Sequence, residues 1–249
     1  MKTKFICLLV VLFTILCPLM MFEIQDYIDQ SRSYAMPDTS IDDLLIKKHP
    51  IISSVYQEFY SSVQHDYFTY NYTDISIYNK DEQDKLKQIK KDLEKEINSV
   101  LSYHVIKPAY LNQKEDTYSI HFGSLYSHLD KQEKAYYLEQ IFSLNETGSN
   151  SVTWNFLNDV KKIYGITITQ ETMKIPSQKD QKDIAWAFIS YLGLDDLDDW
   201  NYTAYGYESY ASKLQVYCDV IQFDNHQITI DIGICPLGQH NRNHAYISN

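Results

Sequence analysis

The stretch QITIDIGI, residues 227–234, alternates isoleucine with polar or small residues. Successive side chains of a β-strand point to opposite faces, so the four isoleucines share one face and predict a half-buried strand. The preceding Leu214–Phe223 is also rich in strand-forming residues, and Asp224–His226 between the two has turn chemistry. We therefore expect an antiparallel hairpin in which the numbers of paired residues add up to 449 or 450.

This hairpin register separates the two cysteines of the C-terminal region. Cys218 would face Asp231 or Ile232, which leaves Cys235 some four residues away, about 13 Å along a strand. A disulfide requires Cα atoms within roughly 7 Å of each other. The register therefore predicts that Cys218 and Cys235 are free thiols.

The residues before the hairpin predict an α+β fold. Ile166–Met173 alternates like a strand, and Asp180–Leu192 carries a helical apolar stripe. Ser177 is a suitable cap for that helix, and Gly193 is suited to end it. Trp200–Tyr207 predicts an aromatic strand. The expected C-terminal architecture is an antiparallel β-meander packed on a helix.

The first half of the chain is predicted to be rich in helices. The clearest helix is Asp81–His104, whose apolar stripe lies opposite a face of lysines and glutamates. Short strands are expected at Tyr67–Tyr78 and Thr117–Phe122. Helical patterns also cover these ranges: 40–48, Ile51–Gln64, Asp130–Phe142 and Thr153–Tyr164.

The N-terminus contains an uncharged run of eighteen residues, Phe5–Phe22. As a helix this run would be roughly 27 Å long, close to the thickness of a bilayer core. Lys2 and Lys4 precede it and acidic residues follow it, which predicts a single-pass protein of the cell membrane with the N-terminus inside and the C-terminal domain outside. The bulky residues 19–22 do not suit a cleavage site, so a retained signal-anchor is favoured over a cleaved signal, which would make the protein secreted.

These features divide the chain into successive regions. The loop residues 145–150 are the expected boundary between the two main regions. The predicted regions are a cytoplasmic tail (1–4), a transmembrane signal-anchor (5–22), a stalk (23–39), a helix-rich extracytoplasmic region (40–144), an α+β extracytoplasmic region (150–235) and a flexible tail (236–249).

The charge of the chain restricts its partners. The formal net charge is −11, and without Lys2 and Lys4 residues 23–249 carry −13. Binding to nucleic acid rests on neutralising phosphates with basic side chains, so we expect no nucleic-acid partner. Docking on anionic lipid is disfavoured for the same reason. The expected partners are a protein or another envelope component, together with the membrane through residues 5–22.

The densest group of carboxylates is Asp195, Asp196, Asp198 and Asp199, interrupted by Leu197. A calcium loop needs oxygen ligands at alternating positions and a glycine for its turn, whereas this run contains Leu197 and no glycine. We interpret it as a solvated loop between a helix and a strand, with Leu197 and Trp200 turned inward. If the chain has a binding patch, these four aspartates are the first candidates.

The histidines suggest two other kinds of site. His240 and His244 are four residues apart, near His226, but their segment has little helical character and no glutamate, so a solvated tail is favoured over a metal site. Ser124 could be a nucleophile with His121 or His128 as its base and Asp116 or Asp130 as the orienting acid. The G-x-S-x-G turn that exposes such a serine is missing, which favours ordinary surface histidines.

The sequence contains no phosphate-binding glycine loop and no cysteine spacing typical of a metal site, so no cofactor and no metal are predicted. The leading hypothesis is a membrane-anchored extracytoplasmic domain that binds a partner or senses at the cell surface, without catalysis. The first alternative is an envelope hydrolase that uses carboxylates and a histidine, at Asp195–Asp199 or at His121 and His128. The second is an accessory subunit of a membrane complex that docks through Asp81–His104.

Overall fold

Helices and strands alternate in the first half of the chain, and strands dominate the rest. The computed structural model describes residues 41–64, 68–72, 79–107, 119–127, 132–145, 148–171, 175–223 and 227–240. The described elements are α1 (Asp43–Lys48), α2 (Ile51–Gln64), β1 (Phe68–Asn71), α3 (Lys80–Ser102), β2 (Ser119–Ser127), β3 (Gln132–Asn145), β4 (Gly148–Leu157), β5 (Lys162–Gln170), α4 (Gln178–Leu192), β6 (Asn201–Thr203), β7 (Gly206–Ser209), β8 (Leu214–Gln222) and β9 (Ile228–Pro236).

The strands form one antiparallel sheet in the order β1-β2-β3-β4-β5-β9-β8-β7-β6. Strands β1 to β5 are neighbours in chain order. The chain then passes through α4 to the far edge and returns as the meander β6 to β9, so that β9 pairs with β5. The α+β fold class is confirmed, and one sheet joins both halves of the chain.

The hairpin of β8 and β9 has the predicted register. Its paired residues add up to 450, with Cys218 opposite Ile232 and Cys235 opposite Gln215. Both cysteines are buried and free, as predicted.

One face of the sheet is apolar and is covered by helices. The isoleucines of β9 are buried there, and Ile166 and Ile168 of β5 pair with two of them. Helix α2 contacts β9, α3 contacts β5, and α4 contacts β8 and β7. The apolar residues of these helices and strands form one buried cluster, which is the hydrophobic core.

The opposite face of the central strands is polar. Thr167 on β5 donates a hydrogen bond to Asp231 on β9 over 3.1 Å, and the hydroxyls of Thr169 and Thr229 lie 3.2 Å apart. The alternation of residues 227–234 therefore separates a helix-covered face from a hydroxyl-rich face, as strand geometry requires.

Helix α4 begins and ends as its sequence predicts. The Ser177 side chain accepts a hydrogen bond from the Asp180 backbone N–H, and the Asp180 side chain accepts one from Ser177 in return. Gly193 closes the helix in the left-handed conformation, with φ of +71°. Two local signals thus fix both ends of the helix. The long helix is also confirmed, as α3, with Asn79 as its cap.

The prediction that the first half is rich in helices was wrong at two ranges. Residues 130–142, predicted as a helix, include most of β3, and residues 153–164 span the end of β4, a turn and the start of β5. From Tyr136 to Glu139 in β3, buried and half-buried residues alternate, which is a strand pattern. Pairing of β3 with both β2 and β4 outweighs its local helical tendency.

Two predictions are replaced by hairpins. One is the boundary predicted at residues 145–150, and the other is the single strand predicted at 200–207. Asn145 pairs with Gly148 where β3 turns into β4. Trp200–Tyr207 is divided into β6 and β7 by a turn at residues 204–205. The meander therefore has four strands where three were predicted.

Within the described residues, no helix combines the length and the apolar character needed to cross a bilayer. Residues 1–4, 5–22 and 23–39, predicted as tail, anchor and stalk, lie outside the described residues. Their assignments stay predictions.

Candidate functional site

The four aspartates of the acidic loop have different surroundings. The loop leaves α4 at Gly193 and is anchored by the buried Leu194 and Leu197. The indole Nε1 of Trp200 donates to the carbonyl of Leu194 over 2.8 Å. The predicted inward orientation of Leu197 and Trp200 is therefore confirmed. The aspartates between these anchors project in several directions.

Asp199 supports the neighbouring turn. Its carboxylate accepts a hydrogen bond from Ser209 Oγ at 2.8 Å and another from the Ala211 backbone N–H at 2.7 Å. Asp195 and Asp198 are exposed. The four carboxylates thus do not converge on one point, although Asp196 joins a separate cluster.

Asp196 contacts two consecutive residues at the end of α1. It contacts the ammonium of Lys48, and its Oδ1 lies 3.3 Å from Nε2 of His49. The hydrogen bond from Lys48 lowers the pKa of Asp196 below its ordinary value, so Asp196 is charged at neutral pH. His49 is only 7% exposed, and its Nε2 has no hydrogen-bond partner because the approach to Asp196 is poorly aligned.

A cavity of about 300 Å³ adjoins this pair. It lies where the α1–α2 junction, the turn between β4 and β5, and the end of α4 meet. Its lining includes Lys48, His49, Ile51, Asp159, Lys162 and Gly193. We call this space the His49 cavity.

Two further contacts hold the lining of the His49 cavity in place. Asp159 accepts a hydrogen bond from Ser54 Oγ on α2 at 2.5 Å and another from the Val160 N–H at 2.9 Å. The Lys162 ammonium donates to the carbonyl of Tyr191 over 3.2 Å and lies 3.5 Å from Glu96 Oε2. Three separate parts of the chain therefore position the charged groups of the cavity.

A second candidate surface lies at the β6 end of the sheet. Four aromatic residues there are exposed: Trp186 and Tyr202 (both 39%), Tyr205 (49%) and Tyr210 (65%). Together with Tyr207 we call them the aromatic edge. The ring of Tyr207 lies 5.3 Å from that of Trp186 and 4.9 Å from that of Tyr202, measured between ring centroids.

The aromatic edge borders a cleft and a charged group. A space of about 380 Å³ is lined by Asp183, Trp186, Ala187 and Tyr207. Lys182 Nζ lies 4.9 Å from the centroid of the Tyr202 ring, within cation–π range. Among the described strands β6 is the outermost, so no other described strand covers this surface.

His240 is a structural residue, and its assignment to a solvated tail was wrong. The residue is 5% exposed, and its ring stacks on that of Tyr217 with 3.8 Å between the ring centroids. Its Nε2 lies 2.6 Å from Asp219 Oδ2. Gly233 provides room for this arrangement, since a Cβ there would lie 2.6 Å from the Tyr217 hydroxyl. His240, in the predicted flexible tail, thus packs on the sheet. His226 and His244 lie outside the described residues.

The structure separates Ser124, the candidate nucleophile, from His121, one of its two candidate bases. Ser124 and His121 are three positions apart on β2 and point to opposite faces of the sheet. Ser124 is buried and shares a hydrogen bond with Tyr72, whereas His121 lies 3.2 Å from the Ser119 hydroxyl. These two residues cannot form a triad. His128, Asp116 and Asp130 lie outside the described residues.

His49 and Lys162 were not found by sequence reasoning, because each is a single residue without a motif around it.

Among the residues that the structure describes, no three His, Cys, Asp or Glu side chains form a group that could hold a metal ion.

Comparison with known proteins gave no match: no family model, curated protein or solved structure is similar to the chain. Its function has to be argued from its own geometry.

Proposed function

We propose that residues 41–240 form a domain that binds a protein partner at the outer side of a membrane, and that the aromatic edge is the contact surface. The observation that carries this proposal is the contact of Trp186 and Tyr202 with Tyr207, with Tyr205 and Tyr210 exposed just before and just after β7. Of the eight large hydrophobic residues exposed in the described part of the chain, four belong to the aromatic edge. Tyrosine and tryptophan are enriched in the energetically important parts of protein interfaces.

The chemistry around the aromatic edge favours a partner with basic and apolar side chains. Asp183 lines the cleft beside Trp186 and Tyr207, so a lysine or arginine of a partner could pair with the carboxylate while stacking on a ring. Lys182 already makes such a contact with Tyr202. The net charge of −11 would also attract a basic partner over longer distances.

The location outside the membrane rests on the sequence of residues 1–22. The uncharged run Phe5–Phe22 behind two lysines supports an anchor with the domain outside. A retained anchor would keep the aromatic edge near other envelope proteins.

The aromatic edge is a better candidate for the contact than α3. In the described residues, none of the exposed large hydrophobic side chains belongs to Lys80–Ser102. The apolar stripe of α3, including Leu86, Ile89 and Leu93, is buried against the sheet. An accessory subunit that docks through this helix would need an apolar surface there.

Site-specific cross-linking in the native cells tests the proposal. A photo-reactive amino acid would replace Tyr205 or Tyr210 in the full chain, and Tyr103 in a matched control, because Tyr103 is exposed to a similar degree (47%) but lies beside α3. We expect an adduct of one defined mass from positions 205 and 210 and none from 103. The substitution Trp186→Ala should reduce that adduct at least about five-fold, since truncating a central anchor weakens a contact by about 1 kcal/mol or more.

Equal adducts from all three positions, or no adduct from 205 and 210, would contradict the aromatic edge as the contact surface. An adduct from 103 alone would favour docking beside α3.

A further inference from the structure

The His49 cavity lies among paired charges, since Lys48 contacts Asp196 and Lys162 lies 3.5 Å from Glu96. The residues that line it include Lys48, Lys162 and His49, with Asp159 as the acidic residue. The whole chain, by contrast, has a formal net charge of −11. An ammonium group has three donors, so Lys48 and Lys162 could each donate to an anion at the cavity while keeping these contacts.

The buried imidazole gives a second and independent indication of a ligand. His49 is 7% exposed, and although Asp196 Oδ1 lies 3.3 Å from its Nε2, that contact does not have the geometry of a hydrogen bond. Buried polar atoms in native proteins are normally satisfied, and exceptions need a physical reason. An oxyanion in the cavity would supply the missing acceptor for an N–H at Nε2.

The start of α2 adds to the preference for negative charge. Ile51 is the first residue of this fourteen-residue helix, and it lines the cavity together with Pro50. The N-terminus of a helix carries partial positive charge and backbone N–H groups that bind phosphate and similar anions.

The nearby carboxylates do not make the cavity a cation site. Asp159 is engaged by Ser54 and by the Val160 N–H, and Asp196 pairs with Lys48. In the described residues no group of three acidic or histidine side chains has the arrangement of a metal site. The carboxylate of Asp196 instead helps to hold Lys48 and His49 beside the cavity.

We propose that the His49 cavity binds a small phosphate-type oxyanion through Lys48, Lys162, His49 and the start of α2. A volume of about 300 Å³ is at the lower end of the range for small-molecule sites and holds a phosphate group with a short substituent. This site is separate from the aromatic edge and does not depend on the protein partner.

Equilibrium dialysis of the full chain in detergent micelles against radiolabelled inorganic phosphate tests this site. We expect saturable binding of one phosphate per chain, with acetate competing more weakly because it carries less charge. Lys48→Gln is the main variant, since Lys48 is largely exposed and its loss should leave the fold intact. It should weaken phosphate binding about ten-fold, as should Lys162→Gln and His49→Gln.

Lys47→Gln is the matched control, because it removes the same charge from the neighbouring exposed residue of α1, outside the lining. Phosphate binding by this variant should stay within about two-fold of the original. A circular-dichroism melt of each variant identifies any loss of folding, and the conclusion is drawn from Lys48→Gln if His49→Gln unfolds. The proposal is overturned if no saturable binding occurs, if acetate competes as well as phosphate, or if Lys47→Gln and Lys48→Gln weaken binding equally.

Discussion

At the scale of single residues, Tyr191 connects three elements of the core. Its hydroxyl accepts a hydrogen bond from the Ile163 backbone N–H of β5 at 2.8 Å and donates one to Glu96 Oε2 of α3, also at 2.8 Å. Burial raises the pKa of Tyr191 far above its ordinary value, so the hydroxyl keeps its proton. The side chain itself belongs to α4. One hydroxyl thus ties both helices to the sheet.

Tyr191→Phe tests this connection. The substitution keeps the ring but leaves the Ile163 N–H and the Glu96 carboxylate without their partner, which should lower the free energy of unfolding by roughly 1–3 kcal/mol. Urea unfolding of the full chain in detergent measures the change. Tyr103→Phe is the control: its ring contacts that of Tyr191, but it is half exposed, so a change within about 0.5 kcal/mol is expected. Equal stability of the two variants would contradict the role of the Tyr191 hydroxyl.

The candidate sites could be predicted from the sequence only in part. The acidic loop was recognised as a group, but Asp196 acquires its role from His49, which is distant in sequence and belongs to another helix junction. Ion pairs of this kind are set by tertiary packing and leave no spacing in the sequence. The aromatic edge was missed for a similar reason, since Trp186 and Tyr207 meet only when α4 packs beside β7.

At the scale of elements, the hairpin of β6 and β7 depends on Gly206. Its φ is +110°, and a Cβ at this position would lie 2.3 Å from the carbonyl oxygen of Val216 on β8. Only a residue without a side chain allows both this backbone conformation and this close approach. The hairpin in turn positions Tyr202 and Tyr207 of the aromatic edge.

Gly206→Ala should therefore displace the hairpin from β8. We expect a loss of stability well above about 1 kcal/mol and faster hydrogen exchange of the backbone amides in residues 201–209. Gly193→Ala is a suitable comparison, because Gly193 also has positive φ but a Cβ there would meet nothing within 4 Å. Its loss should be smaller and confined to the end of α4. If both variants melt alike and exchange in 201–209 is unchanged, the close contact with β8 has no importance.

Elements whose own sequence contains caps or strict alternation were predicted well. Elements whose conformation depends on pairing with neighbouring strands were not. Helix α4 has a capping box and a left-handed glycine, and β9 has strict alternation, so both were identified correctly. The run AYYLEQIF, residues 135–142, fits both a helical and an alternating pattern. Its conformation is fixed by hydrogen bonds to β2 and β4 on either side, which no single segment encodes.

At the scale of the whole molecule, the pairing of β3 with β4 spans the predicted boundary at residues 145–150, and the pairing of β5 with β9 joins the strands β6 to β9 to the same sheet. The pairing of β5 with β9 places β9 in the middle of the sheet. Strand β6, which carries part of the aromatic edge, lies at one end. If the predicted anchor holds the domain outside the membrane, this surface would be available to other proteins of the envelope. The proposed function therefore depends on which side of the membrane the domain occupies.

The two described cysteines make this location straightforward to test. Cys218 and Cys235 are buried, and burial raises the pKa of Cys235 to about 12 and that of Cys218 further above its ordinary value. A thiol reacts with maleimide mainly as the thiolate, so neither should be labelled in the folded protein. Cys7 and Cys17 fall within the predicted anchor. The unmodified chain should thus give little background with a membrane-impermeant maleimide.

Tyr205→Cys places a thiol at an exposed position of the aromatic edge. If the domain lies outside, intact cells should label this variant and not the unmodified chain. Lys4→Cys is the matched control, because residue 4 is predicted to lie inside and should react only after the cells are permeabilised. Labelling of Tyr205→Cys only after permeabilisation, with Lys4→Cys labelled in intact cells, would show that the orientation is reversed. Labelling of both only after permeabilisation would place the whole chain inside and remove the envelope from the proposed function.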